Sequence, residues 1–182
     1  MEISATNFKG LYLIKPKIFN DIRGYFFESF KLEAFRDAGI SFFPEQENES
    51  MSSEGVIRGL HYQMKPYDQA KLVRVVEGRI FDVALDIRRG SLTFGKWFGI
   101  ELDAESKIQL FIPRGFAHGF SVLSREALVQ YKIDNQYNRQ AERGISLNDP
   151  ALGIDWRLGN RIPLISDKDM NNPLLAEADY NF

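Results

Sequence analysis

Short runs in which apolar and polar residues alternate fill most of the chain and predict an all-β fold. Strands are expected at residues 56–63, 71–78, 79–87, 94–102, 108–112, 117–123 and 127–133. Turn signals separate them roughly every ten residues, a spacing typical of an antiparallel sandwich or barrel. Glu77 and Gly78 predict a hairpin turn between the second and the third of these strands.

The N-terminal part alternates less regularly. Residues 11–16 (LYLIKP) end at a proline and are interpreted as an edge strand, and residues 20–24 as a turn. A strand that begins at Gly24 would place Glu28 on the same face as two phenylalanines. Either that face is solvated, or Glu28 has a polar partner or ligand, because an unpaired buried carboxylate is costly.

The stretch between these segments and the first regular strand is predicted to contain one short helix. This helix spans residues 31–38, and Gly39 is placed to end it. Residues 42–50 are mostly polar and form either a loop or a strand. In the second case Gln46 and Asn48 point together at a polar group.

Length and composition limit the possible functions. A chain of 182 residues fits one domain, residues 1–182, with short helices and N-terminal and C-terminal extensions. Residues 148–182 are expected to be loops with short elements wrapped on the barrel. Lys and Arg number 23 against 25 Asp and Glu, so neither nucleic acid nor an anionic membrane is expected as a partner. The absence of cysteine excludes a cysteine nucleophile and fits a reducing compartment. Without a leader or an apolar run approaching the ~20 residues of a membrane span, we expect a cytoplasmic protein.

One of the two histidines lies in VIRGLHYQ, residues 56–63. Arg58 precedes a glycine there and His61 follows it, so a cation and a group that titrates near neutral pH lie close together. This pairing favours proton chemistry on an anionic ligand. The alternative is a core histidine with one hydrogen bond and an arginine in a surface ion pair.

The second histidine, His118, lies in IPRGFAHGF, residues 112–120, where alternation places it in a strand. Histidines on two inward strands of a β-barrel suggest a cupin. The usual cupin metal site takes three histidines and a glutamate, and Gln63 stands where an HxH pattern would have its second histidine. No metal is therefore expected.

The remaining reactive side chains are an imidazole pair, Lys71, Tyr131 and several carboxylates, among them Asp82 between small or apolar neighbours. Such a set suits removal of a proton next to a carbonyl and its return, with a cation near the enolate oxygen. No serine lies in a nucleophile-elbow context, so nucleophilic catalysis is disfavoured.

Eight runs resemble the dTDP-4-dehydrorhamnose 3,5-epimerases in order and nearly end to end. They are RGYFFESF, RGLHYQ, KLVRVVEGRIFDVALDIR, TFGKW, IPRGFAHGF, YKIDNQY, NDPALGIDW and SDKD. The resemblance implies a homodimeric, cupin-type antiparallel β-barrel (jelly roll) without metal or other cofactor. It also implies inversion of C3 and C5 of a 4-keto-6-deoxy sugar attached to dTDP, a step toward dTDP-L-rhamnose.

The same resemblance implies residue roles. His61 would be the base, paired with Asp169, and Tyr131 the acid on the opposite face. Lys71 and His118 would lie near the sugar, with Asp82 orienting His118. Positions that match those holding the nucleotide, diphosphate or sugar are Arg23, Glu28, Gln46, Asn48, Arg58, Glu142 and Lys168, and Tyr137 matches the aromatic that stacks on thymine.

Strict alternation puts His61 and Arg58 on opposite faces of a strand, whereas the family has both in the site, so a bulge at Gly59 is predicted. Ala70, where the family usually has glycine, and Ile133-Asp134, where a threonine is common, are departures that would affect nucleotide affinity. Rival functions are a 5-epimerase, a 3,4-ketoisomerase of another deoxysugar pathway, and an inactive sugar-nucleotide-binding cupin.

Overall fold

A computed structural model describes residues 1–182, and the predicted all-β class is confirmed. The strands are β1 (Glu2–Ala5), β2 (Tyr12–Lys15), β3 (Ile18–Asp21), β4 (Gly24–Phe27), β5 (Gln46–Ser53), β6 (Ile57–Gln63), β7 (Lys71–Glu77), β8 (Arg79–Asp86), β9 (Trp97–Asp103), β10 (Gln109–Ile112), β11 (Phe116–Val122), β12 (Glu126–Ile133) and β13 (Glu142–Gly144). The helices are α1 (Leu32–Asp37) and α2 (Asp167–Met170). No helix is long and apolar enough to cross a membrane.

The strands form two larger antiparallel sheets and one hairpin. The six-stranded sheet has the order β1-β2-β10-β7-β12-β5, and the five-stranded sheet has the order β13-β6-β11-β8-β9. The pair β3 and β4 forms a separate two-stranded sheet. An apolar core, to which β7, β10 and β12 contribute from one sheet and β8 and β11 from the other, holds the two large sheets together.

Strand β8 is buried on both faces, which explains why both halves of its alternation are apolar. Ile80 and Ala84 belong to the core between the sheets. Phe81, Val83 and Leu85 belong to a second core on the other face. The C-terminal segment covers that face, so the predicted wrapping of the chain from residue 148 onward is confirmed.

The predicted hairpin between β7 and β8 is wrong. The two strands belong to different large sheets, and the chain crosses from one to the other at Gly78. Gly78 has φ +77°, and a Cβ there would approach the Glu126 carbonyl oxygen to 2.0 Å. A tight glycine turn therefore joins the sheets here instead of pairing the adjacent strands.

The N-terminal segments differ from prediction in two respects. Strand β2 is not an edge strand, because β1 pairs outside it and Pro16 lies just beyond its last residue. The turn before Gly24 is confirmed, but β4 ends at Phe27, so Glu28 follows the strand and is exposed. In a single copy of the chain Glu28 is therefore solvated, which was the first of the two alternatives.

Two other local predictions hold. Helix α1 forms where expected and is followed by Gly39 with φ +72°. Of the alternatives for residues 42–50, the strand is correct, because β5 begins at Gln46 and the Gln46 side-chain amide donates to the Asn48 oxygen at 2.7 Å.

Candidate active site

A polar cavity of about 480 Å³ opens between the β5 edge of the six-stranded sheet and the β13 edge of the five-stranded sheet. Strands β5, β7 and β12 supply one wall, and β6 and β13 the other. Eight of the fourteen predicted site residues line it: Gln46, Asn48, Arg58, His61, Lys71, Tyr131, Tyr137 and Glu142. The polar lining fits a charged, oxygen-rich ligand.

A bulge at Gly59 brings Arg58 and His61 to the same cavity, as predicted. The pairing of β6 with β11 shifts register between these two residues, which gives β6 one extra residue. Gly59 has φ +124°, and a Cβ there would lie 2.5 Å from the Gly119 Cα. Only glycine fits this close approach of two backbones.

His61 and Asp169 form a hydrogen-bonded pair. The His61 Nε2 lies 2.6 Å from one carboxylate oxygen, and the Gly59 N–H donates to the other oxygen at 3.3 Å. Burial by itself raises the pKa of Asp169, but the bonds from His61, Gly59 and Ser166 outweigh it and hold that pKa below its usual value. A carboxylate that faces Nε2 keeps a proton there and leaves the Nδ1 lone pair free to accept another.

Helix α2 fixes the carboxylate of this pair. Ser166 is the N-cap residue, and its hydroxyl accepts a hydrogen bond from the Asp169 N–H at 3.2 Å. Asp169 is only 4% exposed. The adjacent residue, Lys168, lies with Asp169 on a second cavity of about 390 Å³, which shares Arg58 and His61 with the first.

Tyr131 reaches the main cavity from the other wall. It lies on β12 of the six-stranded sheet, whereas His61 lies on β6 of the five-stranded sheet. Burial raises the pKa of Tyr131, and Asn48 and Arg58 offset this only in part. The phenol therefore stays protonated and can donate from the face opposite the imidazole.

His118 and Asp82 form a second buried pair close to the His61 strand. The His118 Nε2 lies 2.9 Å from an Asp82 carboxylate oxygen, and His118 pairs with His61 in the β11–β6 ladder. Asp82 is completely buried. The Asp82 carboxylate thus faces this imidazole, which is the contact that the family resemblance implied.

Lys71 is a cation whose charge is poorly solvated. Burial lowers the pKa of Lys71 to about 8, although Asp82 and Glu142 act in the opposite direction. Its ammonium group lies in the wall of the cavity, where it can stabilise a developing oxyanion.

We expect this lowered pKa to appear in the pH profile. As pH rises through about 8, Lys71 loses its proton, so kcat/KM should fall on the alkaline side with an apparent pKa near that value. Lys71→Arg should move this limb beyond the measurable range, because arginine stays charged. A wild-type profile that remains flat up to pH 10 would contradict the role of the Lys71 charge.

Tyr137, Glu142 and Lys168 are linked at the mouth of the cavity. The Tyr137 hydroxyl donates to Glu142 at 2.8 Å, and the Lys168 ammonium lies 2.6 Å from the same carboxylate oxygen. Burial raises the pKa of Glu142, but Lys168 and Tyr137 outweigh it, so that pKa is lowered and Glu142 is an anion. The Tyr137 ring remains 54% exposed and available for stacking.

Arg23 and Glu28 do not reach this cavity. Arg23 lies in the β3–β4 turn beside Asp21, and its side chain is 85% exposed. Glu28 lies just after β4 and is also exposed. In one copy of the chain the site therefore lacks two of the residues predicted for it.

Sequence reasoning missed several residues of the cavity wall. They include Glu49, Ser50, Tyr62, Gln63, Gln69 and Ile133. Gln63 could have been found, since it follows His61 by two residues and alternation places both on one face. The Ser50 hydroxyl is buried without a hydrogen-bond partner, which no sequence pattern indicates.

The side chains do not assemble a metal site. No group of three or more His, Cys, Asp or Glu side chains is placed to hold an ion. Each imidazole instead contacts a carboxylate, His61 with Asp169 and His118 with Asp82.

The chain is similar to a known family and its members over nearly its whole length. The family model for dTDP-4-dehydrorhamnose 3,5-epimerase matches residues 5–177. A dTDP-4-dehydrorhamnose 3,5-epimerase of Shigella flexneri is 50% identical over 181 residues, which cover 99% of each chain.

Two solved structures are also similar. The first is the Legionella pneumophila dTDP-6-deoxy-D-glucose-3,5-epimerase in complex with dTDP-4-keto-L-rhamnose, with TM-score 0.93, 46% identity and coverage of 98% of this chain and 94% of that one. The second is a 3′-monoepimerase from Streptomyces bikiniensis in complex with dTDP-quinovose, with TM-score 0.90, 36% identity and coverage of 95% and 87%. This likeness confirms the predicted cupin-type barrel.

Proposed function

This chain belongs to the dTDP-4-dehydrorhamnose 3,5-epimerase family of cofactor-independent isomerases, and from that premise we propose how its residues act. The substrate is dTDP-4-dehydro-6-deoxy-D-glucose and the product dTDP-4-dehydro-L-rhamnose. The observation that supports this most is the approach of His61 and Tyr131 to one cavity from opposite walls. Inversion requires removal of a proton on one face of the sugar and its return on the other.

The C4 carbonyl of the substrate makes the hydrogens at C3 and C5 acidic. His61, oriented by Asp169, removes each of them through its free ring nitrogen. The electron pair moves into an enolate whose oxygen is stabilised by the Lys71 ammonium, with the His118–Asp82 pair beside it. Tyr131 then protonates the carbon from the opposite face. Its phenolate recovers a proton from solvent, and His61 releases the proton it took to solvent, so both groups are reset before the second carbon reacts.

The other polar groups of the cavity hold the nucleotide end. Arg58 presents a guanidinium, fixed by its Nε donation to the Ser52 hydroxyl at 2.9 Å, to the diphosphate. Gln46 and Asn48 offer amides to the sugar and nucleotide oxygens. Tyr137 offers a flat ring for the thymine, since aromatic faces stack on nucleobases.

We also propose a homodimer in which the β3–β4 hairpin of one copy completes the site of the other. Two features of the single chain support this. Arg23 and Glu28 lie outside their own cavity, and the hairpin exposes Phe19, Ile22 and Phe26. An exposed apolar surface with charged residues at its rim is typical of a protein–protein interface.

The dimer has a direct test. Light scattering at micromolar concentration should give twice the chain mass of 21.0 kDa. Ile22→Asp with Phe26→Asp should give a folded monomer with little activity, because a charge on each apolar contact opposes association. A wild-type monomer of full activity would refute both the dimer and the contribution of the hairpin.

The reaction itself is tested in deuterated water. With dTDP-4-keto-6-deoxyglucose, proton NMR should show deuterium at both C3 and C5 and the appearance of the L-rhamno product. Deuterium and inversion at only one carbon would show that the protein is a monoepimerase. Migration of the carbonyl group would show that it is a ketoisomerase. Binding without any exchange would leave an inactive sugar-nucleotide-binding cupin.

Chelation provides a further prediction. Because the reacting groups are side chains and the imidazoles face carboxylates, incubation with EDTA followed by gel filtration should leave kcat/KM unchanged. Loss of activity that one divalent ion restores would contradict the metal-free mechanism.

Two broader expectations belong to the same proposal. Residues 1–182 act as one domain, supported by the family match over residues 5–177. The compartment is the cytoplasm, since a nucleotide diphosphate is an anion that does not cross a bilayer unaided and is consumed where it is made.

A further inference from the structure

Gln63 uses both the oxygen and the nitrogen of its side-chain amide to hold the loop that carries Tyr137. It lies at the end of β6 and is 5% exposed. Its Oε1 accepts a hydrogen bond from the Asn138 N–H at 2.6 Å. Its Nε2 donates to the Gln136 carbonyl at 3.1 Å and to the Tyr67 carbonyl at 2.6 Å.

Two of these three bonds reach the residues on either side of Tyr137. The side chain of Gln63 therefore fixes the backbone immediately before and after the aromatic ring. Glu142, which pairs with Gln63 across the β13–β6 ladder, accepts from the Tyr137 hydroxyl at the other end of the ring. Adjacent positions on two strands thus hold both ends of one tyrosine.

The hydrogen bonds of Gln63 are placed to position the Tyr137 ring more than to stabilise the fold as a whole. The rest of the loop is tied to residues 66–70, through bonds such as the one from the Gln69 amide to the Asn135 carbonyl at 2.9 Å. Gln63 alone connects the peptide groups flanking Tyr137 to the strand that carries His61. A shift at Gln63 therefore moves the ring relative to the catalytic end of the cavity.

We propose that Gln63 is a positioning residue for nucleobase recognition, holding the Tyr137 ring at the distance from His61 that a dTDP-sugar requires. The inference rests on the proposed function, in which Tyr137 stacks on thymine. Gln63 would thus have a positioning role at the position where a metal-binding cupin has a histidine. There both N–H groups of the amide and one lone pair of its oxygen are used in bonds to loop backbone.

Calorimetry with two probes tests this inference. The first probe is dTDP, and the second is pyrophosphate, which has the anionic groups without the base. Tyr137→Ala should weaken dTDP binding roughly 5-fold to 100-fold, the range that one stacked base contributes, and leave pyrophosphate binding unchanged. Gln63→Ala should show the same selective loss, on the order of 10-fold.

Further variants separate positioning from packing. Gln63→Glu keeps the shape and the acceptor for Asn138 but loses both donated bonds, so it should resemble Gln63→Ala. Asn135→Ala, which removes the bonds to the Pro66 and Asp68 carbonyls and lies outside the cavity lining, should have a much smaller effect. The double variant Gln63→Ala with Tyr137→Ala should be no weaker than Tyr137→Ala alone, because the ring being positioned is already absent.

Kinetics give a second readout. Gln63→Ala should raise KM for the dTDP-sugar by about the same factor as the dTDP dissociation constant, while kcat changes little. Additive losses in the double variant, an equal loss of pyrophosphate binding, an effect of Asn135→Ala as large as that of Gln63→Ala, or unchanged dTDP binding by Gln63→Ala would each overturn the inference.

The outcomes also distinguish this inference from the proposed function. If Tyr137→Ala leaves dTDP binding intact, the stacking role fails and the role of Gln63 fails with it. If Tyr137→Ala weakens dTDP binding and Gln63→Ala does not, only the inference about Gln63 is wrong. If the wild type binds dTDP but inverts no carbon, the proposed reaction fails while the binding measurements still decide on Gln63.

Discussion

His61→Ala should abolish both deuterium incorporation and inversion. His61 is the one basic group on its wall of the cavity that is paired with a carboxylate, through its Nε2, and Asp169 is too buried to replace it. Loss of a positioned general base typically lowers a rate by roughly 10² to 10⁴. Here the same group acts at two carbons, so the yield of the doubly inverted product should fall further.

The measurement is proton NMR in deuterated water, which follows label at C3 and C5 together with the product. Asp169→Asn is the matched variant, because it keeps a side chain of the same shape while removing the charge that orients and supports the imidazole. It should slow exchange and inversion in equal proportion without abolishing either. Exchange at wild-type rate in a folded His61→Ala protein would show that another group is the base.

Tyr131→Phe should separate exchange from inversion. His61 can still form the enolate and return a deuteron from its own side, so label should enter while the configuration is retained. A general acid contributes roughly 10² to 10⁴, so inversion should fall by that order and exchange by much less. The raised pKa of Tyr131, caused chiefly by burial, keeps the wild-type phenol protonated and ready to donate.

The informative quantity is the ratio of inversion to exchange, since structural damage lowers both equally. Tyr12→Phe is the control, because Tyr12 lies on β2, packs against Phe111 and does not line the cavity. That variant should leave the ratio unchanged. Parallel loss of exchange and inversion in a folded Tyr131→Phe protein would show that Tyr131 is not a dedicated acid.

Together the two variants test the arrangement on which the proposed function depends. A base and an acid on one wall would exchange protons without inverting a carbon. In this fold the two groups come from different sheets, and their opposition is fixed by the packing of the barrel. Changes to the core between the sheets should therefore affect inversion more than exchange.

Local sequence pattern determined much of the strand content and the chemical type of the site. Alternation and glycine placement predicted the regular strands from β6 to β12 and the short helix α1 within a few residues. A bulge at Gly59 was predictable because strict alternation conflicted with the family pattern. These features depend on neighbouring residues, whose spacing along the chain is visible in one sequence.

Strand pairing was not determined in this way. Adjacent strands β7 and β8 resemble a hairpin in sequence, but they belong to different sheets, and β2 lies inside its sheet although a proline follows it. Pairing depends on which distant strands bury the apolar faces, and the pattern of one strand does not identify its neighbours.

The candidate active site was likewise determined partly by the sequence and partly by the tertiary structure. The sequence by itself indicated that imidazole, phenol, ammonium and carboxylate groups were present, and family resemblance suggested their roles. The resemblance also implied that His61 pairs with Asp169, 108 residues away, but only the tertiary structure fixed the 2.6 Å contact between them. Only the tertiary structure held the neighbours of Tyr137 to Gln63 and left Arg23 outside the cavity of its own chain. The physical reason is that a hydrogen bond depends on distance in space to within a few tenths of an ångström, whereas residue type and local spacing determine only which groups are available to make it.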